Sequence, residues 1–351
     1  MERFLNDSQG LGPMANIRSE ISKLETACED LKRAYDPSAA EERLTELEAQ
    51  MADQTAKEKE YKEHGKLSSK VSKFSEILDE ASKRLDFANL VDAEQDAELE
   101  ELARNDLQDS MIKAQEFIVE QKLTGTHDEN NAIISIKAGS CQQSQVDFIA
   151  QAYQKYAKKK GMRVEIIDEG DADITFRIEG ENAYGLLRGE HGTHKIVEYN
   201  LHREKKQSAT VDVQVEPEVE QDEIRLKEDD LEYFSLGASS PGGQNANRNM
   251  TGIRIKHRPT GKTATSRLKS RTQNLRLAKK VLLSRVTAHY LQSQESTITN
   301  EQERGSRFVR IYDHTNGEVM DKRLENRPTG EFAKGDINAY ILAYHGVNFD
   351  I

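Results

Sequence analysis

The spacing of apolar residues changes near Asn130, and that change rules out a uniform architecture. Before it, apolar positions recur every three or four residues: Ile17, Ile21, Leu24, Cys28, Leu31 and Tyr35 form one such seam. This is the pattern of a helix packed along one face. Asp36-Pro37-Ser38 ends the segment, because the residue before a proline resists helical geometry, and Ser38 is expected to cap the next helix, where Leu44, Leu47 and Met51 continue the pattern. Leu67, Val71, Phe74, Leu78, Ala81, Leu85 and Ala88 mark a third helix, and Leu107, Met111, Ala114 and Ile118 a fourth, from about Ala93 to Gln121. The remaining positions are rich in Glu, Lys, Asp and Gln. Residues 1–121 are therefore expected to form an antiparallel helical bundle that docks or spaces and carries no chemistry. Cys28 lies in the seam, which implies a packed thiol rather than a redox site.

Beyond Asn130 the period shortens. Ala132–Lys137 reads as a strand, followed by the loop Ala138-Gly139-Ser140-Cys141-Gln142-Gln143. A helix follows with Phe148, Ile149, Ala152, Tyr153, Tyr156 and Ala157 on its apolar face, stopped by Lys158-Lys159-Lys160-Gly161. Arg163–Ile167 and Asp173–Ile178 are two more strands, so residues 122–223 are expected to form an α/β sandwich. His191 and His194 lack a third ligand at a recognisable spacing, which favours RNA contact or turn packing over a metal. Glu198 to Ser208 is polar and basic and is expected to be an exposed loop, with Val211, Val213 and Val215 on the returning strand.

Charge then separates along the chain. The formal net charge is −12, yet the acids are concentrated: Glu216 to Glu232 holds nine of them against Arg225 and Lys227. From Tyr233 to Gln294 there is no Asp or Glu and there are twelve cations: Arg248, Arg254, Lys256, Arg258, Lys262, Arg267, Lys269, Arg271, Arg276, Lys279, Lys280 and Arg285. A merely solvated surface usually mixes signs, so this block points to a nucleic-acid phosphate partner. Within it, Gly252–His257 and Lys262–Ser266 flank the turn Arg258-Pro259-Thr260-Gly261 as a β-hairpin. A helix from Arg271 to about Gln292 is expected to bury Leu275, Ala278, Leu282 and Val286 and turn its Arg and Lys outward. Arg307–Tyr312 reads as a basic strand. A short helix after Glu331 would bury Ile337, Tyr340, Ile341 and Tyr344.

The cysteines, Cys28 and Cys141, give neither a disulfide framework nor a metal spacing, which fits a reducing compartment. Residues 1–20 lack the apolar run of a signal peptide, and no stretch approaches about 18 consecutive apolar residues, so a soluble protein without a membrane partner is expected.

At the head of the basic block stands Ser239-Ser240-Pro241-Gly242-Gly243-Gln244-Asn245-Ala246-Asn247-Arg248. A proline and two glycines force an irregular, extended loop whose backbone can approach another molecule closely. Gln244 cannot titrate, so it is no general acid or base; it offers only amide donors and an acceptor. An uncharged tip on a cationic body suits a phosphate-lined cavity.

The run SSPGGQNANRN…IRIKHRPTG…SRTQNLR resembles the catalytic domain of bacterial-type class I peptide chain release factors. The runs NNAIISIKAG, ENAYGLLRGEHGTHK and VDVQVEP are similar to the branch of that family that reads UGA and UAA, and the resemblance spans about residues 10 to 345. It implies an α+β multidomain protein: a helical bundle at 1–121, a codon-facing α/β domain at 122–223, a basic Gly-Gly-Gln domain at 224–306, and an element at 307–351 that completes the second domain. It implies a translation termination factor that binds the ribosomal A site and promotes peptidyl-tRNA hydrolysis there, rather than a free-standing enzyme, with no cofactor or metal. Gly242, Gly243 and Gln244 would carry the chemistry, with the Gln244 backbone N–H stabilising charge on the ester; Gln244 is also a candidate for N5-methylation. Asn245, Asn247, Arg248, Arg254, Lys256, Arg258, Lys269, Arg271 and Gln273 would hold RNA. The implied partners are ribosomal RNA of both subunits, the mRNA stop codon, P-site peptidyl-tRNA, a glutamine methyltransferase and a GTPase recycling factor, all in the cytoplasm.

The sequence departs from the family at the codon-facing side. Gly139, Gln143, His194, Asn200, Leu201, His202, Gln207 and Ser208 are the codon-reading candidates by position. However, Asn200-Leu201-His202 replaces the family's Pro-x-Thr or Ser-Pro-Phe tripeptide, Gln207-Ser208 its His-Thr pair, and Cys141-Gln142-Gln143 its Gly-Gly-acid helix tip. At the hydrolysis tip Ser240 stands where the family has Gly, and Asn245 where it often has His. Two alternatives follow: a codon-independent ribosome rescue factor with the same tip, or an RNA-binding relative without release activity.

Overall fold

The computed structural model describes residues 17–53, 57–94, 97–200, 204–219, 226–237, 250–295 and 308–347. Two compact units divide the chain: residues 1–122 with 347–351, and residues 123–346. No helix among the described residues is long and apolar enough to cross a membrane.

The first unit contains α1 (Ile17–Ala34), α2 (Ser38–Ala52), α3 (Glu58–Glu94) and α4 (Ala97–Lys122). Helix α1 packs on α3 and α4, and α2 on α3. Ile17, Ile21, Leu24 and Leu31 are buried, as the seam requires, but Ala27 takes the central place and Cys28 is only half-buried. The α-helical repeat of 3.6 residues drifts about 20° per heptad from a strict 3.5-residue seam, enough to rotate Cys28 off the contact line. Burial pushes the Cys28 thiol pKa up, which disfavours the reactive thiolate. The capping expectation is also corrected. Ser38 is the first residue of α2 and makes no side-chain cap; the Asp36 carboxylate accepts the Ser38 N–H at 3.0 Å. Tyr35 closes this core with its ring edge-on to Phe74 and Phe117, at 5.1 and 5.5 Å between centroids.

In the second unit the described strands are β1 (Ala132–Ala138), β2 (Arg163–Glu169), β3 (Asp173–Glu179), β4 (Gly192–Asn200), β5 (Lys205–Pro217), β6 (Leu231–Leu236), β7 (Gly252–His257), β8 (Thr263–Ser266), β9 (Ile311–Asp313), β10 (Glu318–Met320) and β11 (Arg327–Pro328). The helices are α5 (Gln143–Lys159), α6 (Ala183–Leu187), α7 (Arg271–Glu295), α8 (Thr329–Ala333) and α9 (Asn338–Tyr344). Eight strands make one sheet, in the order β11-β10-β9-β4-β5-β1-β3-β2, and β6-β7-β8 make a second. The carboxyl-terminal β9 joins the large sheet beside β4 as a parallel neighbour. Phe148 of α5, Tyr312 of β9 and Phe332 of α8 seal that junction, with centroids 4.7 to 5.6 Å apart.

Four local expectations change. The segment 198–208 is mostly paired strand: Glu198 opposes Gln207, Tyr199 opposes Lys206 and Asn200 opposes Lys205. Backbone pairing alone holds such an arm, so it needs no apolar alternation. Of the basic strand expected at Arg307–Tyr312, Arg307 lies outside the described residues and 308–310 are not strand. The strand begins at Ile311, and Arg310 is sealed at 0% exposure between Glu190 (2.6 Å) and Asp321 (3.2 Å), with the Tyr340 ring 3.8 Å away. The single helix expected after Glu331 is two, α8 and α9, separated by Gly335 at φ 84°; Tyr344 remains exposed. Finally, α7 does not turn all its cations outward. Residues 281–287 are buried all round, Arg285 included, because α7 lies between the small sheet and Ile133 and Ile167 of the large one.

Candidate functional site

Two places in the second unit gather the residues singled out by sequence. The first is the root of the Gly-Gly-Gln loop. Gly242, Gly243, Gln244, Asn245, Asn247 and Arg248 lie outside the described residues, but both ends of their loop are described. Strand β6 ends at Leu236, opposite Gly252 at the start of β7. A side chain at Gly252 would place its Cβ 3.0 Å from the Leu236 carbonyl and 3.1 Å from that of Gly237, so only glycine lets the two ends close without displacement. Arg271, at the start of α7, donates to Ser235 Oγ (3.2 Å) on one side of the root and to the Met250 carbonyl (2.9 Å) on the other. Asn274, fully buried, donates to the carbonyls of Thr251 and Leu268, both at 2.8 Å, and accepts the Leu268 N–H at 2.8 Å. Sequence reading missed Asn274. Its signal in the sequence was only an amide in the first turn of a helix, beside Gln273.

Around this root the cations take distinct places. Arg254 and Lys256 alternate with buried Ile253, Ile255 and His257, so they share the exposed face of β7. Arg258 sits in the hairpin turn and is paired with Glu232 at 2.9 Å. Lys269, Arg271 and Gln273 are exposed where β8 leads into α7. Arg267 and Arg285 point the other way, into the seam between the two sheets. Arg267 lies 3.3 Å from Asp168, and Arg285 donates to Ser135 (2.7 Å) and lies 3.4 Å from Glu216.

The second place is the corner where β1 leads into α5. Gly139 and Ser140 donate their N–H groups to the Thr210 carbonyl of β5, at 2.9 and 3.1 Å, and Ser140 Oγ accepts the Thr210 N–H at 3.0 Å. The start of α5 is closed by reciprocal bonds between Gln142 and Gln145. Gln145 also donates to Glu198 of β4 (2.8 Å), and Gln143 to Asp147 (2.7 Å). Glu198 stands opposite Gln207, and Val197 opposite Ser208, so Gly139, Gln143, Gln207 and Ser208 share one neighbourhood. Asn200 is the last residue of β4, paired by its backbone with Lys205, while Leu201 and His202 lie outside the described residues.

His194 does not belong there, and its place among the codon-reading candidates is corrected. It is 0% exposed, on the inner face of β4, with its ring nitrogens 3.1 Å from Tyr312 Oη and 2.9 Å from the Glu190 carbonyl. Burial pushes its pKa down to about 4, so it is a neutral core residue. His191 accepts the Val215 N–H at 3.2 Å, which is a packing role. Among the described residues no group of three His, Cys, Asp or Glu side chains could hold a metal.

Comparison with known proteins places these features together. Residues 39–212 match the PCRF domain and residues 218–323 the RF-1 domain. The chain is 28% identical over 366 residues to Peptide chain release factor 2 of Listeria innocua, covering 94% of this chain and 98% of that one. It is 30% identical over 318 residues to Peptide chain release factor 1 of Caldicellulosiruptor bescii, covering 81% and 88%. The solved structure of RF2 of Thermus thermophilus superposes with a TM-score of 0.63 at 26% identity, over 96% of this chain and 97% of that one. With both domain models matched in series and the relatives covered nearly end to end, the chain belongs to the bacterial class I peptide chain release factors.

Proposed function

We propose that this translation termination factor triggers peptidyl-tRNA hydrolysis with the loop 238–249, its Gln244 backbone N–H donating to the oxyanion that forms at the ester. Gly242 and Gly243 allow the backbone to reach that geometry, and the Gln244 side chain positions water. The observation that carries this reading is the clamped root: Gly252, Arg271 and Asn274 fix both ends of a Gly-Gly-Gln loop in a block without a single acid. Exposed Arg254, Lys256, Lys269 and Gln273 supply contacts to ribosomal RNA. Peptidyl-tRNA in the P site is the substrate, a glutamine methyltransferase modifies Gln244, and a GTPase recycles the factor, in the cytoplasm.

Stop-codon response falls to the β1–α5 corner and the β4–β5 arm. A second reading, codon-independent rescue, is favoured by one observation: at this corner the tip groups already bond to each other, to Thr210 and to Glu198. Groups so engaged must exchange partners before they meet a base. Ribosomes carrying P-site peptidyl-tRNA separate the readings when presented with each stop codon, a sense codon or an empty A site. Release on UAA or UGA alone supports termination, and release on sense codons or an empty site supports rescue. Gln244→Pro, which removes the backbone donor, is expected to keep ribosome binding and abolish release; release at the wild-type rate would remove the proposed role of the amide.

A further inference from the structure

A cavity of about 490 Å³ opens beside the root of the loop, between the edge strand β6 and the amino-terminal half of α7. This falls within the usual range of small-ligand clefts, about 300–1,000 Å³, and suits one nucleotide rather than a duplex. Its floor is apolar, formed by Ile253 and Leu275. Its wall carries Tyr233 (45% exposed), on the same face of the sheet as Ile255, while Phe234 (46% exposed), opposite Arg254, borders it from the other face of β6. Among the described strands β6 pairs only with β7, so nothing in the small sheet covers them.

The polar groups divide by charge. Glu228 accepts the Tyr233 hydroxyl (2.6 Å) and the Lys279 ammonium (2.5 Å), while Lys279 also lies 5.7 Å from the Tyr233 ring centroid. That pair is neutral in sum and fixes the tyrosine ring. Among the described residues that line the cavity, Arg271 is therefore the net cation. It donates, among the described residues, only through Nη1, to Ser235 and Met250, and it stands at the first residue of a 25-residue helix, where backbone N–H groups also favour an anion.

We infer that this cavity takes one unpaired nucleotide of single-stranded RNA, its base stacked on Tyr233 and its phosphate at Arg271. Stacking plus one cation tolerates any base, as single-strand platforms do, and Glu228 offers an acceptor to a base amino group. The inference rests on the ribosomal role proposed above, and adds an RNA subsite that no charge count reveals. Seating a nucleotide at Arg271 would tighten the residue that ties Ser235 to Met250, and so stiffen the root of the release loop.

The test uses the full chain and a fluorescent single-stranded RNA hexamer, with a blunt RNA duplex as control. Tyr233→Leu is expected to weaken hexamer binding about tenfold, and Tyr233→Phe to preserve it. Phe234→p-benzoylphenylalanine is expected to crosslink to the RNA on irradiation. Equal hexamer affinity in wild type and Tyr233→Leu, or equal wild-type affinity for duplex and hexamer, overturns the inference. So does crosslinking to residues 238–249, which would show the chain's own loop in the cavity. Release by the wild type without Tyr233-dependent binding sinks the subsite alone, whereas Tyr233-dependent binding without release sinks the proposed function alone.

Discussion

Asp168 carries a buried charge that the fold only partly compensates. Its side chain is 2% exposed, Oδ1 has no hydrogen-bond partner among the described residues, and Arg267 lies 3.3 Å away. Burial outweighs that cation and pushes its pKa from 3.8 to about 6. The fold thus prefers the protonated acid: no penalty exists below the unfolded value, and stability falls as pH rises from there through the folded value. The full penalty, on the order of 2–3 kcal/mol, applies above about pH 6. Asp168→Asn is therefore expected to raise the unfolding temperature of the full chain at about pH 8 and leave it nearly unchanged at about pH 4, measured by calorimetry. Equal shifts at both pH values would show that the acid is not ionised in the fold. Sequence could not expose this, since Asp168 follows Ile167 at the end of an ordinary strand and its burial comes from a sheet and helix about a hundred residues later.

At the scale of elements, a helix and two strands together hold the two ends of the segment that carries the Gly-Gly-Gln tripeptide. The loop ends leave β6 and β7 side by side; Arg271 of α7 ties the two, and Asn274 ties the β7 end to Leu268. Gly252→Ala would put a methyl group 3.0 Å from the Leu236 carbonyl and spread the two ends. Small displacements of a catalytic group can cost about a hundredfold in rate. Gly252→Ala is thus expected to slow peptidyl-tRNA hydrolysis by about that factor while ribosome binding persists; an unchanged single-turnover rate would show that the root does not set the tip. The hairpin β7–β8 and helix α7 were readable from turn chemistry and apolar spacing. Strand β6 was not, because Tyr233, Phe234 and Ser235 are all exposed and lack the alternation of a half-buried strand.

For the whole molecule, segregated charge decides how an acidic chain binds an acidic partner. The acids before Glu232 are partly spent inside: Glu216 pairs with Arg285, and Glu218 with Arg177 and Lys280. Arg254 and Lys256 stay exposed on β7. Replacing both by Ala is expected to weaken ribosome binding and to flatten the dependence of log Kd on log salt by about one unit per cation, read from filter binding across a salt series. An unchanged slope would place the RNA contact elsewhere. The sequence alone determined the helical bundle, the mixed second unit, the Gly-Gly-Gln motif and its basic setting, because apolar period, turn residues and local charge are encoded within a few neighbouring positions. Only the tertiary structure decided that His194 is core, that Arg285 is buried, that Asn274 holds Thr251 to Leu268, and that Tyr233 and Phe234 border a cavity. Each depends on elements far apart in the chain meeting in space, and burial, unlike periodicity, is a property of the partner as much as of the residue.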